Sequence, residues 1–364
     1  MPHPETAIRP LTRHPESRFH LLDGLRGVAA VCGVLHHLGS QLGLPFLAPR
    51  GYLAADFFFL LSGLVVAHAY SHRLRRGMKM GSFLEKRVVR LYPMIVLGTL
   101  FALTLTSFVL RRDLPSREDL VIAGVMGSLG LPMFFASSLP AVIFPINGPI
   151  WFILFELVGN AAFAFIAKLR AAQAICFALA ALSLGGMVAG VVVWGVVDFG
   201  SRLSDWPWGF SRVGFSFFVG VMLNRYREEC PRIPQAMSMV AIIAALFIPS
   251  GYWFDSFVDL AIVVLLFPLA VAALSLQQPK PRWVGACDVG AAISYPIYVL
   301  HYPISMALGS MMILMWQPWT VRLFVAGIAT GALILLSWWL FNHIDAPFRQ
   351  AVTDDLRRWR ASRK

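Results

Sequence analysis

Charged residues are scarce in this chain. Asp, Glu, Lys and Arg make up 14% of its 364 residues, where a soluble domain carries about a quarter. Hydrophobic residues make up 58%, and the mean hydropathy is +0.68. Together these exclude a water-soluble globule and a disordered or collagen-like chain. Acids are the scarcer sign, 19 against 31 basic residues, for a formal net charge of +12. In a soluble protein that excess would suggest nucleic acid. In a chain this apolar it is read first as membrane topology, because basic residues gather in cytoplasmic loops, and no nucleic-acid partner is expected. Cysteine is sparse as well: Cys32, Cys176, Cys230 and Cys287 stand far apart with no CxxC pair. Neither a disulfide framework nor a zinc site is readable from them, and no metal is expected. No period of about 20–50 residues recurs, which argues against a repeat architecture.

What the chain has in abundance is apolar runs. They lie near 19–39, 52–71, 92–110, 119–137, 148–167, 172–196, 208–224, 236–251, 256–276, 287–309 and 320–342. Most are apolar all round, as membrane burial requires, and a crossing takes about 20 residues. The run at 119–137 is broken by Gly127, Gly130, Pro132 and Ser137-Ser138. The first 18 residues are polar, with Pro2, Pro4, Pro10 and Pro15, and lack the apolar core and small-residue cleavage site of a signal peptide. They read as a cytoplasmic tail. Residues 19–342 then form one membrane domain, and 343–364 a basic cytoplasmic tail.

The distribution of basic residues decides the broken run. If 119–137 does not cross and the amino terminus starts inside, 23 Lys and Arg fall in cytoplasmic segments and five outside (Arg50, Arg111, Arg112, Arg117 and Arg202), with Arg26, Arg212 and Arg322 inside helices. If it does cross, every later loop changes sides and the bias largely cancels. The expected fold is therefore an all-α polytopic membrane helix bundle, with about ten transmembrane helices and 119–137 as a re-entrant or interfacial segment. Such a segment is tolerated at membrane depth only where protein or water satisfies its backbone. Both termini are expected in the cytoplasm.

Polar residues inside apolar runs are expensive and point to function. The first run carries Asp23, Arg26, His36 and His37. Arg26 and His37 are eleven residues apart, roughly 20° past three helical turns and about 16 Å along the axis. They share a face, either as a snorkelling arginine and an interfacial histidine or as the wall of a tunnel. In Phe83-Leu84-Glu85-Lys86-Arg87-Val88-Val89-Arg90-Leu91-Tyr92-Pro93, Arg87 and Arg90 share a face at i and i+3. Two adjacent guanidiniums suit phosphate oxygens; they equally suit an orientation signal resting on anionic membrane lipid. Further candidates are Asp56 and Ser62 in the second run, Asn147, Trp151 and Glu156 around the start of the fifth, and Tyr295 and His301 in a proline-broken tenth. Taken singly, each could be a polar group satisfied by a neighbouring helix.

In order, these segments resemble acyltransferase family 3, integral-membrane enzymes that acylate hydroxyls of sugars and glycans. The family's LDGLRGxAAxxVxxxH opening corresponds to Leu22 through His37, DxFFxLSG to Asp56 through Gly63, FxxxRxxRLxP to Phe83 through Pro93, and SYPxYxxHxP to Ser294 through Pro303. The match runs from about 19 to 342. One departure is visible: the usual Trp-Ser-Leu reads Trp151-Phe152-Ile153, with Glu156 keeping its place.

The resemblance implies transfer of an acyl group, most often acetyl from acetyl-CoA, to a hydroxyl in a bacterial-type cytoplasmic membrane. It marks His37 as catalytic and places Arg87 and Arg90 on the acyl-CoA side. An alcohol is a weak nucleophile at neutral pH, so a neutral imidazole must take its proton. Arg26 is expected either to bind the donor or to steady the oxyanion. Glu156 or Asp56 is expected to orient an imidazole, and an acyl-enzyme through Ser62 or His301 stays open. The acceptor is expected to be a sugar, glycan or glycoside, as in polysaccharide modification. Many relatives carry an appended extracytoplasmic domain after the last helix; none is expected here. The alternative is a transporter or exporter of a glycan or glycolipid, which would share ten helices and intramembrane charge. Paired, similar halves would mark it, and the two histidine blocks do not resemble each other.

Overall fold

The computed structural model describes residues 18–109, 116–135 and 137–362. The tail expected over 1–18, with Arg9 and Arg13, lies outside the described residues except for Arg18, as do Arg111, Arg112, Arg363 and Lys364. The described chain is helical: α1 (His20–Gln41), α2 (Ala54–Arg75), α3 (Met80–Val109), α4 (Arg117–Ser128), α5 (Ile150–Ile166), α6 (Ala172–Trp194), α7 (Gly209–Tyr226), α8 (Gln235–Leu246), α9 (Asp255–Ala261), α10 (Phe267–Ser275), α11 (Pro281–Gly309), α12 (Met312–Met315), α13 (Trp319–Leu340) and α14 (Ala346–Ala361). A π-turn joins α9 to α10 and another joins α13 to α14. The chain thus stays helical to Ala361, past the expected boundary at 342. Among the described residues there is no strand, only the isolated bridge Val142–Arg202.

Seven helices among the described residues are long and apolar enough to cross a membrane: α1, α2, α3, α6, α9–α10, α11 and α13–α14. The apolar helices α5 and α8 are shorter. This is an all-α integral membrane protein.

Contacts between helix ends give the order of passage. At one end, called proximal here, the start of α1 meets the end of α2 through Phe19 and His68 (4.8 Å between ring centroids). It meets the start of α11 through Arg18 and Asp288 (2.8 Å), and the turn after α7 through Arg227 over Phe19 (5.5 Å). Gln277 donates to the Ile233 carbonyl, bringing the end of α10 to the start of α8 (3.0 Å). Arg360 pairs with Glu85, bringing α14 to the start of α3. At the distal end the Arg50 amide donates to the Leu246 carbonyl (3.1 Å), Ser256 to the Gly195 carbonyl, and Arg322 to the Leu42 carbonyl (2.7 Å). Among the described residues, ten helical segments alternate between these ends, namely α1, α2, α3, α5, α6, α7, α8, α9–α10, α11 and α13.

The broken run behaves as its glycines and proline suggest. Ser116 caps α4, its Oγ accepting from the Asp119 amide (3.0 Å). The helix is twelve residues long, about 18 Å, well short of the roughly 30 Å hydrocarbon layer. It packs against the distal half of α3, with Gly124 against Leu103 and Gly127 against Thr99. The chain then doubles back: the Ser116 amide donates to Ser138 Oγ (2.9 Å), and Asp119 Oδ2 accepts from both the amide and the hydroxyl of Ser138 (2.7 Å each). These bonds, from Ser138 first and then Ser116, hold the Asp119 carboxyl below the usual carboxylate range. The segment therefore enters and leaves at the distal end.

Close helix approach is built on small residues, as dispersion packing between membrane helices favours. A Cβ on Gly27 of α1 would lie 2.5 Å from Gly290 Cα of α11, and a Cβ on Gly63 of α2 would lie 1.9 Å from the Phe217 carbonyl of α7. Two arginines staple the distal half. Arg212, fully buried, holds Asp56 by two bonds (Nη2–Oδ2 2.6 Å, Nε–Oδ1 3.2 Å) and donates to the Phe199 carbonyl (2.9 Å). Arg50, also fully buried, pairs with Asp255 (2.6 Å) and Asp259, and Asp259 also accepts from the Tyr52 hydroxyl (2.5 Å). Buried charges demand such partners.

Candidate active site

One face of α1 carries the site. In its proximal half, Arg26 opens into a cavity of about 50 Å³ shared with Ser62 of α2, Arg87 and Arg90 of α3, Glu156 of α5, and Tyr295 and Tyr298 of α11. Arg87 and Arg90 reach it together because a three-residue step keeps them on one helix face. Pro93 removes the amide that would bond the Val89 carbonyl, and the Tyr295 hydroxyl donates to the Leu91 carbonyl (2.5 Å), tying α11 to this stretch of α3.

The cations in this cavity are not equivalent. Glu156 Oε1 accepts from Arg87 Nη2 and from Ser62 Oγ, both at 2.6 Å. Arg26 and Arg90 have no hydrogen bond or ion pair among the described residues. Three guanidiniums thus face a single carboxylate, which leaves two positive charges for water or an anion.

The histidines lie three turns further along α1. His37 meets His301 of α11 (ring centroids 5.1 Å), the edge of Tyr302 (5.2 Å, 88°) and His36 (5.2 Å). His36 turns away, with Nδ1 3.2 Å from the Ala48 carbonyl and its ring on Tyr52. Eleven residues of helix span about 16 Å, so Arg26 keeps company with Arg87 and Arg90, apart from His37. Tyr298 links the two regions: it lines the arginine cavity, and its ring centre is 5.8 Å from that of His301. From the distal side an apolar cavity of about 110 Å³, walled by the 139–146 loop and α11, reaches Tyr302.

The bend that presents His301 has its own support. Pro303 offers no amide to the Val299 carbonyl, and Asn147, just before α5, donates its side-chain amide there instead (3.0 Å). The polar entry to α5 thus satisfies a backbone group in the neighbouring helix.

The remaining candidates are placed as follows. Asp56 is committed to Arg212, and Trp151 lies under that guanidinium (5.2 Å) among Phe59, Phe152 and Phe155. Asp23 pairs with the half-exposed Arg18 (2.7 Å). Neither Glu156 nor Asp56 contacts His37; its ring neighbours are His36, His301 and Tyr302. Sequence reasoning did not single out Arg212, Tyr298 or Tyr302. Arg212 was legible as an arginine within an apolar run, and both tyrosines fall inside the Ser294–Pro303 motif.

Residues 19–341 match the family model described as an acyltransferase domain. The chain is 38% identical over 165 residues to "Protein 2 in picA locus" of Rhizobium radiobacter, an alignment covering 42% of this chain and 85% of that protein. No solved structure matches. With nearly nine-tenths of its length inside the family model and the motif residues gathered along one face of α1, the chain belongs to acyltransferase family 3.

Proposed function

We propose that this membrane acyltransferase moves an acyl group, acetyl in the simplest case, from cytoplasmic acyl-CoA to a hydroxyl of a sugar or glycan. The observation that carries the reading is the pairing, on one face of α1, of an arginine cavity holding two guanidiniums without partners among the described residues with an imidazole pair three turns away. Coenzyme A has the same division: phosphates at one end, thioester at the other. Arg90 and Arg26 take the phosphates, with Arg87 shared between phosphate and Glu156, and the pantetheine arm runs past Tyr298 to His37. The cavity has room for only a few waters, so donor entry parts the side chains that line it.

At the histidines the acceptor hydroxyl attacks the thioester carbonyl while a neutral His37 takes its proton. The C–O bond forms, the C–S bond breaks, and the imidazolium returns its proton to the leaving thiolate. Transfer is direct. The Ser62 hydroxyl is engaged by Glu156 in the arginine cavity, away from the reacting carbon. The acceptor enters from the distal side past Tyr302. The excess of basic residues near the proximal end supports a cytoplasmic location for that end and for both termini, in a bacterial-type cytoplasmic membrane.

Mass spectrometry of surface glycans and extractable glycosides, with and without the gene, tests this. An ester-sized mass present only with the gene names both acyl group and acceptor; identical spectra in every glycan and glycoside fraction would remove the proposed substrate class.

A further inference from the structure

His301 is 2% exposed, and its Nδ1 lies 3.1 Å from the carbonyl of Ile297, one turn earlier in α11. A carbonyl only accepts, so Nδ1 carries the proton and Nε2 carries the lone pair. That Nε2 is buried and has no hydrogen-bond partner among the described residues. A bare buried acceptor of this kind calls for a donor, and the ring beside it is His37. Among the described residues neither candidate carboxylate is available for the task, because Glu156 is held by Arg87 and Ser62, and Asp56 by Arg212.

We propose that His301 is the positioning residue of the catalytic imidazole, its Nε2 accepting the N–H of His37 in the loaded enzyme. This rests on the acyl-transfer reaction proposed above. His301 takes the place that a carboxylate holds in a hydrolase triad. With one His37 nitrogen donating to His301, the other is bare and faces the acceptor hydroxyl. When the hydroxyl proton arrives on that nitrogen, the second N–H of the imidazolium stays on His301 Nε2. The C–O bond forms, the C–S bond breaks, and the proton passes from His37 to the coenzyme A thiolate. His301 ends the cycle unchanged, with its proton still on Nδ1.

Two substitutions separate this role from a purely structural one. His301→Asn keeps an amide N–H near the Nδ1 position, and so the bond to Ile297, but has no acceptor near Nε2. His301→Gln places a carbonyl near the Nε2 position and gives up the Nδ1 anchor. Acyl transfer from acetyl-CoA by purified protein, run on the glycan or glycoside acceptor that mass spectrometry identifies, is compared for the two. His301→Asn is expected to lower kcat by about 10²–10⁴-fold, the upper figure being the cost of replacing the orienting partner in a hydrolase triad. Its KM for acetyl-CoA stays unchanged, and His301→Gln, which keeps an acceptor near the Nε2 position, recovers most of the lost kcat. Full activity in His301→Asn overturns the proposal by making the Ile297 anchor the whole of the residue's role. Equal impairment in both variants overturns it in favour of packing. A parent protein that transfers nothing from acetyl-CoA overturns the reaction itself, an outcome distinct from both.

Discussion

Glu156→Gln isolates the electrostatics of the arginine cavity without changing its shape. The carboxylate is the acid paired with Arg87, at 2.6 Å, and both side chains are nearly buried (10% and 6% exposed). Breaking a buried pair by neutralising one partner costs about 3–5 kcal/mol. The cavity beside Arg87 admits water, so the low end applies, about 3 kcal/mol. For a chain this long each kcal/mol shifts Tm by about 2 °C, giving a fall of about 6 °C. Coenzyme A should then act in the opposite sense on the variant. Unit charges 6 Å apart at an effective dielectric constant of 20 repel by about 2.8 kcal/mol; removing that repulsion between Glu156 and an incoming phosphate tightens binding at least tenfold. Thermal unfolding of detergent-purified protein with and without coenzyme A reads both effects. The variant melts lower alone and gains more than the parent when coenzyme A is added. Ser62→Ala, which removes a hydrogen bond and no charge, shows a smaller loss and the parent's response to coenzyme A. A Glu156→Gln protein that melts like the parent and responds equally to coenzyme A would refute the account of the cavity.

The arginines should separate by partner. Arg90→Ala and Arg26→Ala raise the KM for acetyl-CoA more than they lower kcat, because phosphate contacts are the same before and during reaction; an unchanged KM in both removes them from donor binding. Lysine at Arg90 rescues only in part, since it keeps the charge and loses the two-pronged geometry. Gly27→Ala puts a methyl group 2.5 Å from Gly290 Cα, and the roughly 1 Å shift of α1 that relieves it should cost about 10²-fold in kcat by moving His37 against α11; turnover at the parent level in a folded Gly27→Ala protein would contradict that packing. Cysteines placed at Ser116 and Ser138 should label from the same face of intact membranes, and labelling from opposite faces would overturn the re-entrant assignment.

Much of the architecture was legible because membrane burial constrains sequence so tightly. Most apolar runs matched their helices to within about six residues, but α3 begins at Met80, twelve positions before its run, because its polar first turns read as a loop. The asymmetry of Arg and Lys pointed to 119–137 as the run that does not pass through, and the Ser116–Ser138 bond brings the two ends of that run together. The extension of the last helix through α14 to Ala361 was not legible, because its polar residues read as a tail. The site was legible by element and opaque by partner. Arg26, Arg87, Arg90 and Glu156 were each visible as charges in apolar surroundings, but Arg87 and Glu156 are 69 positions apart, and no periodicity reveals which arginine owns the carboxylate. Asp56 was a plausible partner for a histidine until Arg212, 156 positions away, claimed it. Asn147 read as a polar helix entry, whereas its amide serves the carbonyl that Pro303 leaves open. Each miss at the site concerns which distant polar groups meet, and helix packing alone decides that.

The central claim is that His37, as general base, drives direct transfer of an acyl group from acyl-CoA to a hydroxyl. Membranes carrying the parent protein or a His37→Ala variant, matched for amount and insertion, are incubated with acetyl-CoA labelled in the acetyl group, and ester-linked label is counted in the glycan and glycoside fractions. The account predicts label with the parent, none above background with His37→Ala, and an intermediate amount with His36→Ala, whose ring faces Ala48 and Tyr52. Full labelling by a correctly inserted His37→Ala protein would contradict it.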